Sequence, residues 1–189
     1  MIKKINSIPF HIGLILFGIL LDQVTKFWAV SRFTNEYGFS NYQKIQILGD
    51  YLRFSLAYNT GAAFSSKPQD LLPFLQPTVF FLLLTIIAFI ALFFFYRSID
   101  KRDYLSRLGL IMVFSGAIGN FIDRMRIQKV VDFIDCDFPD FIMTRFPTFN
   151  VADSFITVGA ILLLLSPLLL RKIHQEIKRE KESHAKNSN

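Results

Sequence analysis

Hydrophobic and polar positions segregate along this chain on the scale of whole segments. Four stretches, residues 5–21, 71–96, 108–122 and 154–170, contain no charged side chain. Each is near the roughly 20 residues, range about 17 to 25, that an α-helix needs to cross a hydrocarbon core. The third is short, and it spans only if its helix runs on through Asp123 and Arg124. A segment crossing lipid must satisfy its own backbone, so four helices joined by polar loops is the expected topology. Between the first two spans the period changes. Leu52, Phe54, Leu56 and Tyr58 alternate with Arg53, Ser55 and Ala57, the pattern of a strand with one buried face. Ile45 and Ile47 make a shorter run, and Gly49-Asp50 supplies a turn between the two. The expected fold is an all-α membrane protein of four transmembrane helices, with a small antiparallel β element in the first outer loop, about residues 44–64.

Composition agrees with a membrane class: 52% of the 189 residues are hydrophobic and 22 are phenylalanine, which excludes disorder as the overall state. The net charge of +6 is explained by location, because no basic stripe interleaved with aromatics suggests nucleic acid. Lys3 and Lys4 lead the chain, Arg97, Lys101, Arg102 and Arg107 fill the second loop, and six Lys or Arg follow Leu170. These segments belong in the cytoplasm, which sets the loops at about residues 31–70 and 123–150 outside. The N-terminal segment resembles a secretory signal, with Ala29-Val30-Ser31 as a cleavage-like site, but Asp22 and Lys26 interrupt it and a retained helix is expected. Residues 171–189 form a mixed-charge tail without an apolar face, expected as a solvated, partly frayed helix end. The single Cys136 lies far in sequence from His11, His174 and His184, so a Cys-His nucleophile or zinc site is not expected.

Polar side chains inside or beside the spans are costly, about 2.5 to 3.5 kcal/mol for a charge at the bilayer centre. Asp22 and Lys26, spaced i,i+4, share one helical face as an ion pair, either structural or part of a site. Asn120 and Asp123 share a face at the end of the third span, where an aspartate opposes the helix dipole while Arg124 suits it. Ser115 and Gly119 offer a small surface for helix packing. Asp132 stands inside the apolar run Val130-Val131-Asp132-Phe133-Ile134; it is a loop aspartate, or one whose lost hydration raises its pKa toward that of a general acid. Asn150 is a good N-cap for the fourth span, and Asp153 either closes a capping box with it or supplies a second acid with an opposed environment. Asn59-Thr60-Gly61 follows the long strand as a turn, or as a place where backbone approaches a ligand.

Together and in this order, the blocks Asp22-Gln23-Val24-Thr25-Lys26, Asn59-Thr60-Gly61-Ala62-Ala63-Phe64, Gly119-Asn120-Phe121-Ile122-Asp123-Arg124, Val130-Val131-Asp132-Phe133 and Phe149-Asn150-Val151-Ala152-Asp153-Ser154 resemble lipoprotein signal peptidase (signal peptidase II), the bacterial membrane aspartyl protease family. The resemblance covers nearly the whole chain and implies a four-helix peptidase domain over residues 1–170, with a periplasmic β-cradle, ahead of the cytoplasmic tail. It implies an endopeptidase that cuts the signal peptide from diacylglyceryl-modified prolipoproteins just before the lipidated cysteine. Asp132 and Asp153 are then the catalytic dyad. Asn120, Arg124, Asn59 and Gly61 bind substrate or the cyclic-peptide antibiotic globomycin, and Asp22, Lys26, Asp123, Asn150 and Ala152 shape the site. No metal or cofactor is implied. The partners are the lipid-modified prolipoprotein and membrane lipid, the protein acting as a monomer in the bacterial inner membrane. Both termini are then cytoplasmic and the site faces the periplasm. The acidic, aromatic segment 135–147 is a few residues longer than expected between the last two blocks. Rival readings are a small transporter or proton-coupled channel, whose intramembrane polar groups line an ion path, and a Ser-Lys protease or an assembly subunit without chemistry.

Overall fold

The computed structural model describes residues 7–36, 40–60, 77–137 and 145–187. Helix α1, Ile8–Phe33, starts where Ser7 caps it by accepting from the Phe10 N–H at 3.4 Å. Its buried positions, His11, Gly18, Asp22, Lys26, Ala29 and Phe33, recur at helical spacing, and this stripe faces the bundle while Leu16, Leu20 and Phe27 are exposed. Helix α2, Pro77–Ser98, exposes apolar side chains along its length. Helix α3, Tyr104–Ile127, is the central member and the most buried of the four membrane-length helices. It runs past Asp123 and Arg124, as its length requires for a crossing. Helix α4, Val151–Leu169, lies along it so closely that a Cβ built on Gly109 would stand 2.6 Å from the Gly159 carbonyl oxygen. Glycine at these two positions therefore sets the α3–α4 separation. All four helices are long and apolar enough to cross a membrane.

Strands β1, Lys44–Leu48, and β2, Leu52–Asn59, form the expected hairpin, turning at Gly49 with φ +55°. A third strand, β3, Val130–Cys136, was not expected. It pairs antiparallel with β2 on the side away from β1, and Asp132 stands opposite Ala57. The run 130–134, taken from sequence as a loop or as a segment dipping into the interface, is thus an element of the sheet. Val131 and Phe133 join Ala29, Phe33 and Leu56 in a buried cluster, with Trp28 edge-on to Phe33, Phe54 and Phe133 at 5.5–6.3 Å. This cluster fastens the sheet to the far end of α1. The strand's alternation then turns Asp132 to the opposite face.

At the other end of the bundle Asp103 caps α3, accepting from the Ser106 N–H at 3.0 Å and from the Ser166 hydroxyl at 2.6 Å. The tail is helical as expected, but regular rather than frayed: helix α5, Arg171–Asn187, is held by His174 Nε2 at 3.0 Å from Asp103 and by Arg102 bidentate to Glu180 at 2.9 and 2.7 Å. Burial alone raises the Asp103 carboxyl, but the hydrogen bonds from Ser166 and Ser106 and the nearby His174 outweigh it and hold the group below the usual range.

Candidate active site

The site forms where the sheet meets the ends of α1, α3 and α4. Lys26 is its hub. Only 3% exposed, its Nζ lies 2.9 Å from Asp22, 2.9 Å from Asp123 and 2.9 Å from the Asn120 side-chain oxygen, so its three protons have three acceptors. The i,i+4 pair read from the sequence is therefore one arm of a larger network. A buried cation is tolerated only when it is paired and fully hydrogen-bonded, a condition the two aspartates meet. Each of those aspartates also holds backbone. Asp22 accepts from the Ala152 N–H at 2.9 Å, one of the free donors in the first turn of α4, and Asp123 accepts from the Val131 N–H at 3.1 Å. Asp123 stands where it opposes the α3 dipole because it hooks β3 to the end of α3. Gln128, left-handed at φ 59°, closes that helix and lets the chain turn back.

Gly119 is the point of closest approach. A Cβ built there would lie 2.6 Å from Asp22 Oδ2 and 3.2 Å from the Ala152 Cβ. Glycine at 119 admits the carboxylate, and alanine at 152 keeps α4 close. Gln23 carries a role that sequence reasoning missed: its amide nitrogen lies 3.1 Å from Asp22, 3.2 Å from the Gly119 carbonyl and 3.2 Å from Asp123. Its position next to Asp22, just past the charge-free stretch 5–21, was the available signal.

Lys26 also orients an amide. An ammonium only donates, so the Asn120 oxygen faces Lys26 and its nitrogen faces Asp153, where it donates at 2.8 Å. Asn150 is fixed by the capping box that the sequence predicts: its oxygen accepts from the Asp153 N–H at 2.9 Å, and the Asp153 carboxylate accepts from the Asn150 N–H at 3.2 Å. The Asn150 nitrogen therefore points to Asp132, 2.7 Å away, and also lies 3.1 Å from the Asn120 oxygen. Asn59 hydrogen-bonds Asp132 from β2. Two asparagines thus bridge Asp132 and Asp153, the acids being brought together from a strand and from a helix N-terminus.

Asp132 is 2% exposed. Burial, and then the negative charge of Asp153 beside it, push its carboxyl up from 3.8 to about 6, against the opposing hydrogen bonds of Asn59 and Asn150 and the charge of Lys26. Arg124 from α3 faces the same place. Its guanidinium lies 5.2 Å from the centre of the Phe81 ring and within electrostatic reach of Asp153, Asp132 and Asp123. Gly61, expected in the site, lies outside the described residues, as do residues 62–64 of its block and part of the segment 135–147. The described part of that segment is tied to the sheet: Arg145 contacts Asp135 and lies 3.2 Å from Asp137, while Arg53 reaches Asp135 at 2.9 Å. Burial raises the Asp135 carboxyl, but the hydrogen bonds and charges of Arg145 and Arg53 outweigh it and leave the group below the usual range. Among the described residues no group of three or more His, Cys, Asp or Glu side chains is arranged to hold a metal ion.

Four membrane-length helices carrying a buried polar site against a small sheet define a multi-pass membrane protein with an enzyme-like centre. Comparison with known proteins gives the class. The family model described as Signal peptidase (SPase) II matches residues 14–169. The lipoprotein signal peptidase of Clostridium tetani (strain Massachusetts / E88) is 37% identical over 156 residues, 82% of this chain and 90% of that one. That of Coxiella burnetii (strain RSA 331 / Henzerling II) is 38% identical over 151 residues, 80% of this chain and 85% of that one. A solved structure, a bacterial membrane enzyme determined by the in meso method at 1.9 Å, is similar with a TM-score of 0.70 and 30% identity, covering 85% of this chain and 94% of its own. The chain belongs to the signal peptidase II family, and it is a protease. The transporter reading is not favoured.

Proposed function

We propose that Asp132 and Asp153 are the catalytic dyad of an aspartyl endopeptidase working at the outer membrane surface. Membership of the family makes removal of signal peptides from prolipoproteins the activity of this protein. The observation that supports the dyad is the asparagine-bridged approach of two carboxyls, one of them 2% exposed and raised to about 6 by burial and by its neighbour. Two such acids share a proton more readily than both ionise. The ionised carboxylate takes a proton from water as the water oxygen bonds to the scissile carbonyl carbon. The protonated one hydrogen-bonds the carbonyl oxygen, and a proton passes to the leaving nitrogen as the C–N bond breaks. Acid and base roles belong to the pair. Asn120, Arg124 and Asn59 hold the substrate strand just before its lipidated cysteine, and the apolar helix flanks accept its lipid. Globomycin competes for the same groups.

The basic chain ends and second loop support cytoplasmic termini in a bacterial inner membrane, with the sheet and acids on the far side. The protein acts as a monomer. Cleavage of a diacylglyceryl-modified peptide by purified protein tests the dyad: Asp132→Asn and Asp153→Asn are each expected to lose about 100-fold or more in rate. Wild-type turnover by either variant overturns the assignment.

A further inference from the structure

Helix α2 contributes no charged or amide side chain to the site, and its seam against α3 is aromatic. Phe89 meets Phe114 at 5.0 Å and Phe121 at 5.7 Å between ring centres. Phe114, Phe121 and Arg124, at i, i+7 and i+10, lie on one face of α3, and Phe81 and Phe89, at i and i+8, lie on one face of α2. Because the two helices are antiparallel, the seam that runs through Phe89 and Phe121 continues to Phe81 and Arg124. A guanidinium therefore stands where the pattern would place another apolar side chain. Its centre is 5.2 Å from the Phe81 ring. Among the described residues Arg124 donates no side-chain hydrogen bond and makes no ion pair, although Asp153, Asp132 and Asp123 are near enough for their charges to act on it. The carboxylates that could have captured it are committed elsewhere: Asp123 to Lys26 and the Val131 N–H, Asp132 to Asn150, and Asp153 to Asn120 and the α4 cap. Among the described residues no acceptor takes any of the five N–H donors of the guanidinium, which suits it to a ligand.

We propose that Phe81 is the positioning residue for Arg124. Its ring face holds the guanidinium at the mouth of the site, aligned for a substrate backbone carbonyl, so α2 sets substrate affinity without touching the reacting atoms. The inference rests on Arg124 as a substrate-binding group. Immobilising a long side chain on binding opposes affinity, and a ring that has already placed it removes part of that cost. Losing the ring face is therefore expected to raise KM about 3- to 10-fold, with kcat changed less than about 2-fold.

Steady-state cleavage of a diacylglyceryl-modified peptide by the full chain in micelles reads this split. Phe81→Leu raises KM, Phe81→Trp keeps it near wild type, and in an Arg124→Gln background Phe81→Leu adds nothing further. Pentafluorophenylalanine at 81 keeps the shape while reversing the ring quadrupole, and it raises KM as Phe81→Leu does even where the leucine variant folds poorly. An unchanged KM with the fluorinated ring, or the same KM rise in the Arg124→Gln background, overturns the proposal. Asp132→Asn and Asp153→Asn assayed alongside keep the outcomes separate: activity in either refutes the dyad and leaves the Phe81 comparison standing on KM alone.

Discussion

Replacing Asp132 by asparagine tests the electrostatics of the site without any catalytic assay. The wild-type carboxyl binds its proton more tightly folded than unfolded, at about 6 against 3.8. Above pH 6 the folded protein therefore holds a buried charge that the unfolded chain would hold in water. At 1.36 kcal/mol per pH unit of difference this amounts to about 3 kcal/mol of stability withheld at pH 7 and above. The penalty shrinks as pH falls from 6 and is gone below 3.8, where the carboxyl is protonated in both states. Asparagine has the same shape, keeps an oxygen for the Asn150 nitrogen 2.7 Å away, and carries no charge to repel Asp153. It loses one acceptor toward Asn59, a cost of about 1 kcal/mol. The net expectation is a gain of about 2 kcal/mol at pH 8, or about 4 to 8 °C in Tm for a chain of this size. Below pH 4 the variant is level with wild type or slightly less stable. Thermal unfolding of both proteins in the same micelles across pH 4 to 8 measures the difference, and the effects of titrating groups that do not interact with Asp132 cancel between them. A gap that is independent of pH, or that widens toward acid, refutes the raised carboxyl.

Lys26→Met leaves Asp22 and Asp123, 1% and 4% exposed, facing each other without a cation. Breaking a buried pair in this way is expected to cost about 3 to 5 kcal/mol, visible as a lower denaturant or thermal midpoint in micelles. Gly119→Ala puts a methyl 2.6 Å from Asp22 Oδ2 and is expected to destabilise by about 1 to 3 kcal/mol. Gly13→Ala, with nothing within 4 Å, is expected to stabilise α1 by about 0.5 to 1 kcal/mol. The two melting curves should therefore move in opposite directions. Asp103→Asn removes the charge facing His174 and weakens the bond from Ser166, so hydrogen exchange in α5 should accelerate while peptide cleavage stays at the wild-type rate.

Charge-free length alone was enough to locate the four helices, because lipid permits little else to a long apolar run. It was also enough to show that the third must continue through Asp123 and Arg124. The hairpin was legible because Leu52 to Tyr58 alternate beside a Gly-Asp turn. Strand β3 was not, and the reason is physical. Residues 130–133 are buried whichever way they point, so no alternation marks them, and the partners of β3 in β2 lie about seventy to eighty-five residues away in sequence. A short apolar run of that kind reads equally as strand, loop or buried helix. The same burial that hides the strand perturbs Asp132. The capping box at Asn150 and Asp153 is local and could be read in full, but its second use could not. The Asn150 amide has its oxygen claimed by the α4 cap, which leaves its nitrogen for Asp132, and the orientation of Asn120 depends on Lys26, more than ninety residues away. A local signal predicts the half of each amide that serves the helix, and only the assembled bundle discloses the half that serves the site. For that reason each polar cluster, taken singly, also fits a purely structural account. The capping and pairing interactions are real, and the same bonds that satisfy the helix ends hold the two carboxyls together.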